Sequence, residues 1–472
     1  MSAATLAALA IVTQGPVSLR AVPRAAAPQQ ATLWQGEVLE LRGTRGDYAS
    51  VYDHRLERGG YVRSSELRAI SLVPGEAPAL IAVVRFVRDT PGLEALGISY
   101  AAAYLGAAPA ADIGPEVFDA IGGMAERLAQ RASKVPASKA SADAVAAALD
   151  VAAQAGIRMV TLEREGQAQV CYEGEMYRRV LGMANAGAAQ RARAALGLTR
   201  HECVDPRLDP LARKSLDLWR ESVLRQVPME NLAPQLQDRV HMRRAGVLAA
   251  VAYWQARDGE ESMASADAAI DELAAVRKAE LDGDDVAGYA EAAIRVGATR
   301  LAAGPATHRA GKLAVRTAPG DLGQTCVTLL RPATTATAEA VLAKRCTYGI
   351  VWSASASSNP AGTALALAVQ PLAEWREIWV FREQVGGWGV DVLPPGSDAP
   401  GIGYAECAGW TPDSRQMMVV REVRSEGRYH RRFEMVNLST LLIAKQAGTT
   451  ELLPAFGRWQ DPVWHSTTIA LR

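Results

Sequence analysis

Five cysteines and six histidines bound the chemistry open to this chain. Cys171, Cys203, Cys326, Cys346 and Cys407 include no Cys-x-x-Cys pair, and none has a histidine at ligand spacing. A closed zinc site gathers four such ligands through short spacings, so no metal site is expected. His201-Glu202 opens like a metalloprotease helix, but Asp205 stands where the second histidine belongs. A turn before Pro206 is the simpler reading. Near Lys312 a phosphate loop is suggested by Gly304 and Gly311, yet six residues separate these glycines and Leu313 replaces the magnesium-holding Ser or Thr. Residues 281 to 291 crowd aspartates as a calcium loop does, but no Glu stands at the twelfth position from Asp282. Asp284 and Asp285 suit the positive end of a helix instead. No Gly-x-Ser-x-Gly elbow occurs. No catalytic signature and no cofactor motif is complete.

The cysteines suit structure better than catalysis. Cys326 and Cys346 stand symmetrically about Ala336; folded as a hairpin, they would face each other at its open end, within bridging reach. Cys171 and Cys203 flank a helix pair and form the second candidate bridge. Cys407 is left over and is expected to be buried.

Lys+Arg and Asp+Glu balance at 51 each. A nucleic-acid binder carries a basic excess or stripe to neutralise phosphates, so nucleic acid is not an expected partner. The longest uncharged stretch, Ala95 to Ala111, is rich in Ala and Gly and falls short of the ~20 apolar residues that a span requires. No transmembrane helix is expected. The first positive charge, Arg20, follows the apolar start instead of preceding it, which is the wrong order for a secretory leader. The expectation is that Leu6 to Val12 is a first strand, with a leader already removed; a plain cytoplasmic protein is the rival.

The elements that would position any site fall into three regions, 1–72, 76–305 and 312–472. In the first, Val17, Leu19 and Ala21 alternate before a turn at Pro23. Leu33, Gly36 and Val38 mark a second strand, and the run from Gly46 to Leu67 a third, closing as Gly-Tyr-Val-x-Ser-Ser-x-Leu. Short period-2 strands between Pro and Gly turns predict a small barrel. This order resembles the bacterial SH3-like domain over about residues 11–71. The resemblance implies a location outside the cytoplasm and the binding of cell-wall peptides. Trp34, Tyr48, Tyr52 and Tyr61 are then the candidate binding residues, as aromatics lining a peptide groove; that at least one fills the barrel core stays open. Cell-wall hydrolases carrying such domains often use a Cys in an Asp-Cys-Ser-Gly setting, and none of the five cysteines has it.

The second region reads as helices. Pro115 and Glu116 suit a first turn, Ser141 is placed to cap a helix that Gly156 stops, and Val247, Val251 and Trp254 share a face before Gly259. Met263, Ala266, Ile270 and Leu273 make the next stripe at spacings of 3, 4 and 3. This pair faintly resembles a tetratricopeptide unit without its large aromatics. One β-hairpin, near 158–172, interrupts the helices.

The third region reads as strands and holds seven of the ten tryptophans. Pro360, Pro412 and Pro462 recur at 52 and 50 residues, the length of a propeller blade. Each is expected to launch a strand of alternating apolar residues. The segment Gly409 to Val420 resembles the Trp-x-Pro-Asp-Gly motif of Tol-type and WD-repeat propellers, whereas the other copies lack its Asp. Three blades cannot close a ring of four to eight, so an incomplete propeller or stacked sheets is expected. The stretch from Arg421 to Arg432 is expected to be a solvated hairpin tip.

The expected fold is therefore multidomain α+β: an SH3-like β-barrel, a central α-helical region, and an antiparallel all-β region that is propeller-like or an incomplete propeller. On these resemblances the chain is expected to be a non-catalytic envelope protein, periplasmic or secreted, that binds or scaffolds a protein or cell-wall component. The alternative is a cell-wall or peptide hydrolase whose site assembles only in three dimensions.

Overall fold

A computed structural model describes residues 8–164, 166–303, 311–334, 338–396 and 401–469. Leu6, the Glu165 turn position, most of the loop ahead of Lys312, and Ala336 lie outside the described residues. The protein is mixed α+β, with twelve α-helices among the described residues and several antiparallel sheets. Among those residues no helix is long and apolar enough to cross a membrane. The chain divides into two compact units, Met1–Leu208 with Gln226–Ala233, and Asp209–Arg225 with Pro234–Arg472.

The first unit opens with seven strands: β1 (Ala8–Val12), β2 (Val17–Arg20), β3 (Gln29–Leu33), β4 (Val38–Arg45), β5 (Tyr48–Asp53), β6 (Arg58–Arg63) and β7 (Leu67–Ile70). They pair in the order β3-β2-β6-β5-β4-β1-β7, every pair antiparallel. The path is open. β3 and β7 are its two edges, so hydrogen bonding does not close the expected barrel, and β2 meets β6 through one register pair, Arg20 with Tyr61. Period-2 alternation puts Val17, Leu19, Leu33, Leu39, Val51 and Val62 on a shared inner face. Asp53 forms the β5–β6 turn by accepting the Arg55 and Leu56 amides.

Helices α1 (Ala77–Val87), α2 (Glu94–Ala107), α3 (Pro115–Ala132) and α4 (Lys139–Gln154) follow, then the ribbon of β8 (Met159–Arg164) and β9 (Gln167–Tyr172), then α5 (Glu175–Gly182) and α6 (Ala188–Leu198). Their core is continuous with the sheet, because Ile11 and Ile70 join Leu80, Ile98, Ile121 and Val151 in one cluster. Ser99 of α2 also donates to the Gly36 carbonyl at 2.6 Å. A boundary near residue 72 therefore separates elements but not cores. The α4 cap is Ser138, whose hydroxyl accepts the Ser141 amide. Ser141 is already inside the helix, because the residue three positions earlier has the extended backbone a cap requires. Ser133 holds the ribbon to the end of α3 by accepting the Val170 amide.

The second unit begins with α7 (Pro210–Arg225), α8 (Pro234–Arg257), α9 (Met263–Ala274) and α10 (Gly283–Thr299). Val247, Val251 and Trp254 are buried, as are Ala266 and Leu273 of α9, whereas Met263 is exposed. The strands are β10 (Ala314–Pro319), β11 (Thr325–Arg331), β12 (Ala340–Thr347), β13 (Ile350–Ser358), β14 (Ala364–Leu372), β15 (Trp375–Gln384), β16 (Gly387–Leu393), β17 (Gly403–Trp410), β18 (Gln416–Ser425), β19 (Arg428–Asn437) and β20 (Ile443–Ala447). Two short helices, α11 (Pro454–Trp459) and α12 (Pro462–Ile469), end the description.

These strands stack in layers, and alternation explains how. Leu365 and Leu367 of β14, with Trp379 and Phe381 of β15, pack on Val327 and Leu329 of the three-stranded β10–β12 sheet. Their neighbours Ala364, Ala366, Ile378 and Val380 pack the opposite way, on Ala405, Met417 and Val419 of the β17–β20 meander. Met418 and Val420 then face Phe456 and Trp464 of the terminal helices. A two-residue parallel junction, Trp375 with Gly403 and Arg376 with Tyr404, joins the two meanders.

The proline repeat holds for two copies of three. Asn359 and Thr411 shape equivalent turns ahead of β14 and β18, and the Ala361 amide of one donates to Ser414 Oγ of the other at 3.0 Å. The third copy is a helix, not a strand. Asp461 accepts the Val463 amide at 2.8 Å, and Pro462 occupies the first helical position, the arrangement that starts helices. The Arg421–Arg432 stretch is solvated at Glu426, Gly427, Arg428, Arg431 and Arg432, whereas Glu422 and Val423 are buried.

Candidate functional site

The alternation in β5 separates two sets of side chains. Ala49, Val51 and Asp53 are buried, while Tyr48, Ser50 and Tyr52 lie half-buried on the other face. Antiparallel pairing aligns that face across the neighbouring strands. Tyr48 stands opposite Arg45 of β4 and Arg63 of β6; Tyr61 stands opposite Ser50 and Arg20; Tyr52 stands opposite Glu40 and Gly59. The sheet thus brings Tyr48, Tyr52 and Tyr61 to one outward face. Trp34 follows the last residue of β3 in a turn, its carbonyl accepting the Glu37 amide, and is outside this ladder. None of the four is fully buried.

Tyr52 is covered by polar neighbours. The Arg42 guanidinium lies 3.9 Å from its ring centre, and the His54 ring meets it edge-on at 4.9 Å. Both also bond Glu40, at 3.1 and 2.7 Å, and these hydrogen bonds hold the Glu40 carboxyl below the usual carboxylate range. Among the described residues neither Tyr48 nor Tyr61 stacks on another ring or on a cation. Both side chains are half-buried.

The seven C-terminal tryptophans do not form a second surface. Trp375, Trp379, Trp410 and Trp464 are buried, Trp352 and Trp388 are half-buried, and Trp459 is exposed. Stacked sheets leave gaps about 10 Å deep, and large aromatic side chains fill them.

The second unit carries a cleft of about 150 Å³ beside α7, α8 and α9, lined by Glu221, Leu224, Arg244, Val247, Leu248 and Glu272 among others. His241 Nδ1 lies 2.5 Å from Glu272 Oε2, and Arg244 Nη2 donates to the Leu224 carbonyl at 2.9 Å. An imidazole beside a carboxylate can move a proton. Among the described residues no Ser, Thr or Cys lines the cleft.

Buried ion networks lie elsewhere in that unit. Asp217 joins Arg213, Arg220 and Trp254, and Arg213 also donates to Glu374 at 2.6 Å, which with Glu291 holds Arg295; Glu406 accepts from Arg300, Arg376 and Trp464. Burial pushes the Arg376 guanidinium down to about 10, against the pull of Glu406. Asp217 and its partners lie on α7 and α8, whereas Glu406 of β17 bonds Arg376 of β15 and Trp464 of α12. Their partners are 30 to 106 residues apart around Glu406, which is why no local motif announces them.

The structure joins Cys171 to Cys203 and Cys326 to Cys346, with sulfur separations of 2.10 and 1.94 Å. Cys407 is in neither disulfide and is half-buried, its thiol donating to the Gly409 carbonyl at 3.7 Å. Among the described residues no three His, Cys, Asp or Glu gather as a metal site. His201-Glu202 lies in a short 3₁₀ turn, not on a helix. No protein-family model, no curated protein and no solved structure matches this chain.

Proposed function

We propose that this chain is a non-catalytic protein of the cell envelope that binds or scaffolds a macromolecular partner, a protein or a cell-wall peptide, through the tyrosine face of its N-terminal sheet. The observation that carries the reading is the register of β4, β5 and β6, which aligns Tyr48, Tyr52 and Tyr61 outward beside exposed arginines. Tyrosine and arginine carry much of the energy at interfaces, since both combine a large contact area with polar ends. The resemblance of residues 11–71 to bacterial SH3-like domains agrees with this, and Trp34 would extend the surface from the neighbouring turn. The two stacked meanders agree with a blade-like scaffold. A periplasmic or secreted location is supported by the two bonded cysteine pairs, since disulfides persist in oxidising compartments.

The test is to replace Tyr48 and Tyr61 together by Ala and measure binding to envelope proteins and to purified peptidoglycan. Loss of binding with both units still folded supports the reading; undiminished binding rejects it.

A second reading, a peptide or cell-wall hydrolase, has one observation in its favour: His241 and Glu272 meet at the edge of a cleft. It would require an activated water in place of a side-chain nucleophile. Turnover of peptidoglycan by the parent and not by a His241→Ala variant would establish it.

A further inference from the structure

We propose that the occupant of the tyrosine face is an acidic peptide, an extended protein segment rich in Asp and Glu, gripped by Arg45 and Arg63 on either side of Tyr48. This rests on the reading of the face as a binding surface and names its partner's chemistry. Arg45, Tyr48 and Arg63 occupy one row across three adjacent strands. Neighbouring strands lie about 4.8 Å apart, so the two guanidinium stems rise on opposite sides of one ring. The next row adds Ser50, Tyr61 and Arg20.

The charge on this patch is not balanced from within. Arg45 and Arg63 are exposed, and neither makes an ion pair among the described residues. Asp47 and Glu66, the acids nearest them in the chain, pair with neither. Several other arginines of the same unit are matched, Arg42 with Glu40, Arg55 with Glu37, Arg85 with Glu116 and Arg193 with Asp119, while Arg24, Arg58 and Arg68, like Arg45 and Arg63, make no ion pair among the described residues. An unmatched guanidinium pair beside a phenol suits carboxylates, which it can hold through paired N–H bonds while the ring covers the intervening chain. A polyphosphate would use the same groups, but it demands a broad basic field. Here positive and negative residues are equal in number, 51 of each, and the patch is confined to one sheet face. A peptide is the better match.

The experiment uses the full chain and labelled synthetic peptides of equal length: one alternating Glu and Ser, one Lys and Ser, one Gly and Ser, together with a single-stranded oligonucleotide. Fluorescence anisotropy reads binding at low salt and again at roughly 0.5 M salt, where screening shortens the reach of charge to a few ångströms. The acidic peptide should bind, and its affinity should fall on the order of tenfold in an Arg45→Glu/Arg63→Glu variant, as expected when two interfacial charges are reversed. Near-ultraviolet dichroism checks that this variant is folded. If the neutral peptide binds as well as the acidic one and is lost only in Tyr48→Ala/Tyr61→Ala, the acidic partner is wrong and the surface stands. If the oligonucleotide binds more tightly, or the acidic peptide fails to bind, the proposal is overturned. If neither double variant changes binding to envelope extract, the surface itself is wrong.

Discussion

The Tyr429 hydroxyl donates to Glu291 at 2.6 Å, tying β19 to α10 across 138 positions of the chain. Burial opposes the charge on Glu291, but the Arg295 guanidinium and the Tyr429 hydroxyl outweigh it and hold the carboxyl at about 2. A carboxyl whose folded value is depressed stabilises the fold above its unfolded value and loses that contribution as pH falls through the folded one. For Glu291 the window runs from its ordinary 4.5 down to about 2, and the contribution is on the order of 3 kcal/mol. Glu291→Gln should flatten the decline in stability across that window. Urea unfolding at several acidic pH values checks this; an unchanged pH profile would contradict it.

Cys326 and Cys346 stand directly opposite each other in the β11–β12 ladder. With Cys171–Cys203 also joined, the oxidised chain should show a single reactive thiol, Cys407, when denatured without reductant. Reduction should cost on the order of 3 kcal/mol for each bridge, because closing loops of 20 and 32 residues restricts the unfolded chain. Five thiols in the unreduced protein would contradict both pairings.

The Tyr177 ring lies between Gly122 of α3 and Gly197 of α6; a Cβ at either would come within 2.4 or 2.1 Å of it. The hydroxyl beyond reaches Glu126 at 2.7 Å. Gly197→Ala should therefore destabilise the first unit by about 1–3 kcal/mol through overpacking. Tyr177→Phe keeps the ring's shape and should cost less. Equal stability of Gly197→Ala and parent in thermal unfolding would show that the helices can part without cost.

In the second unit, Asn359 is buried and its side-chain oxygen accepts the amides of Gly362, Thr363 and Ala364. Asn359→Ala leaves three donors without that acceptor, and a loss of about 2–3 kcal/mol is expected. Denaturant midpoints measure it; a change below about 0.5 kcal/mol, the scatter of neutral surface changes, would mean the turn is held by its strands alone.

Local pattern made much of this fold legible. The alternation Tyr48-Ala49-Ser50-Val51 describes a strand with one wet face, and Gly156 and Gly259, both at positive φ, end α4 and α8 where their sequence places them. What local pattern misses is set by distant partners. Trp379 and Trp410 look like surface aromatics until the stacking of sheets buries them. Asp461-Pro462 starts a helix even though its spacing from Pro412 matches a strand repeat, because a cap and a following proline outweigh a period of 50 residues. The His241–Glu272 contact joins separate helices 31 residues apart. The aligned tyrosines needed the register of three strands, which depends on the bulge between Leu41 and Gly43.

The proposed function requires that Tyr48 and Tyr61 belong to a binding surface and that the chain turn nothing over. The most direct measurement is a binding isotherm of parent and Tyr48→Ala/Tyr61→Ala on one purified envelope or cell-wall preparation, followed by product analysis of the same mixtures. Binding should weaken on the order of tenfold or more, as removal of two interfacial aromatics implies, with no released products in either mixture. Equal binding by the two proteins, or cleavage products with the parent, would contradict it.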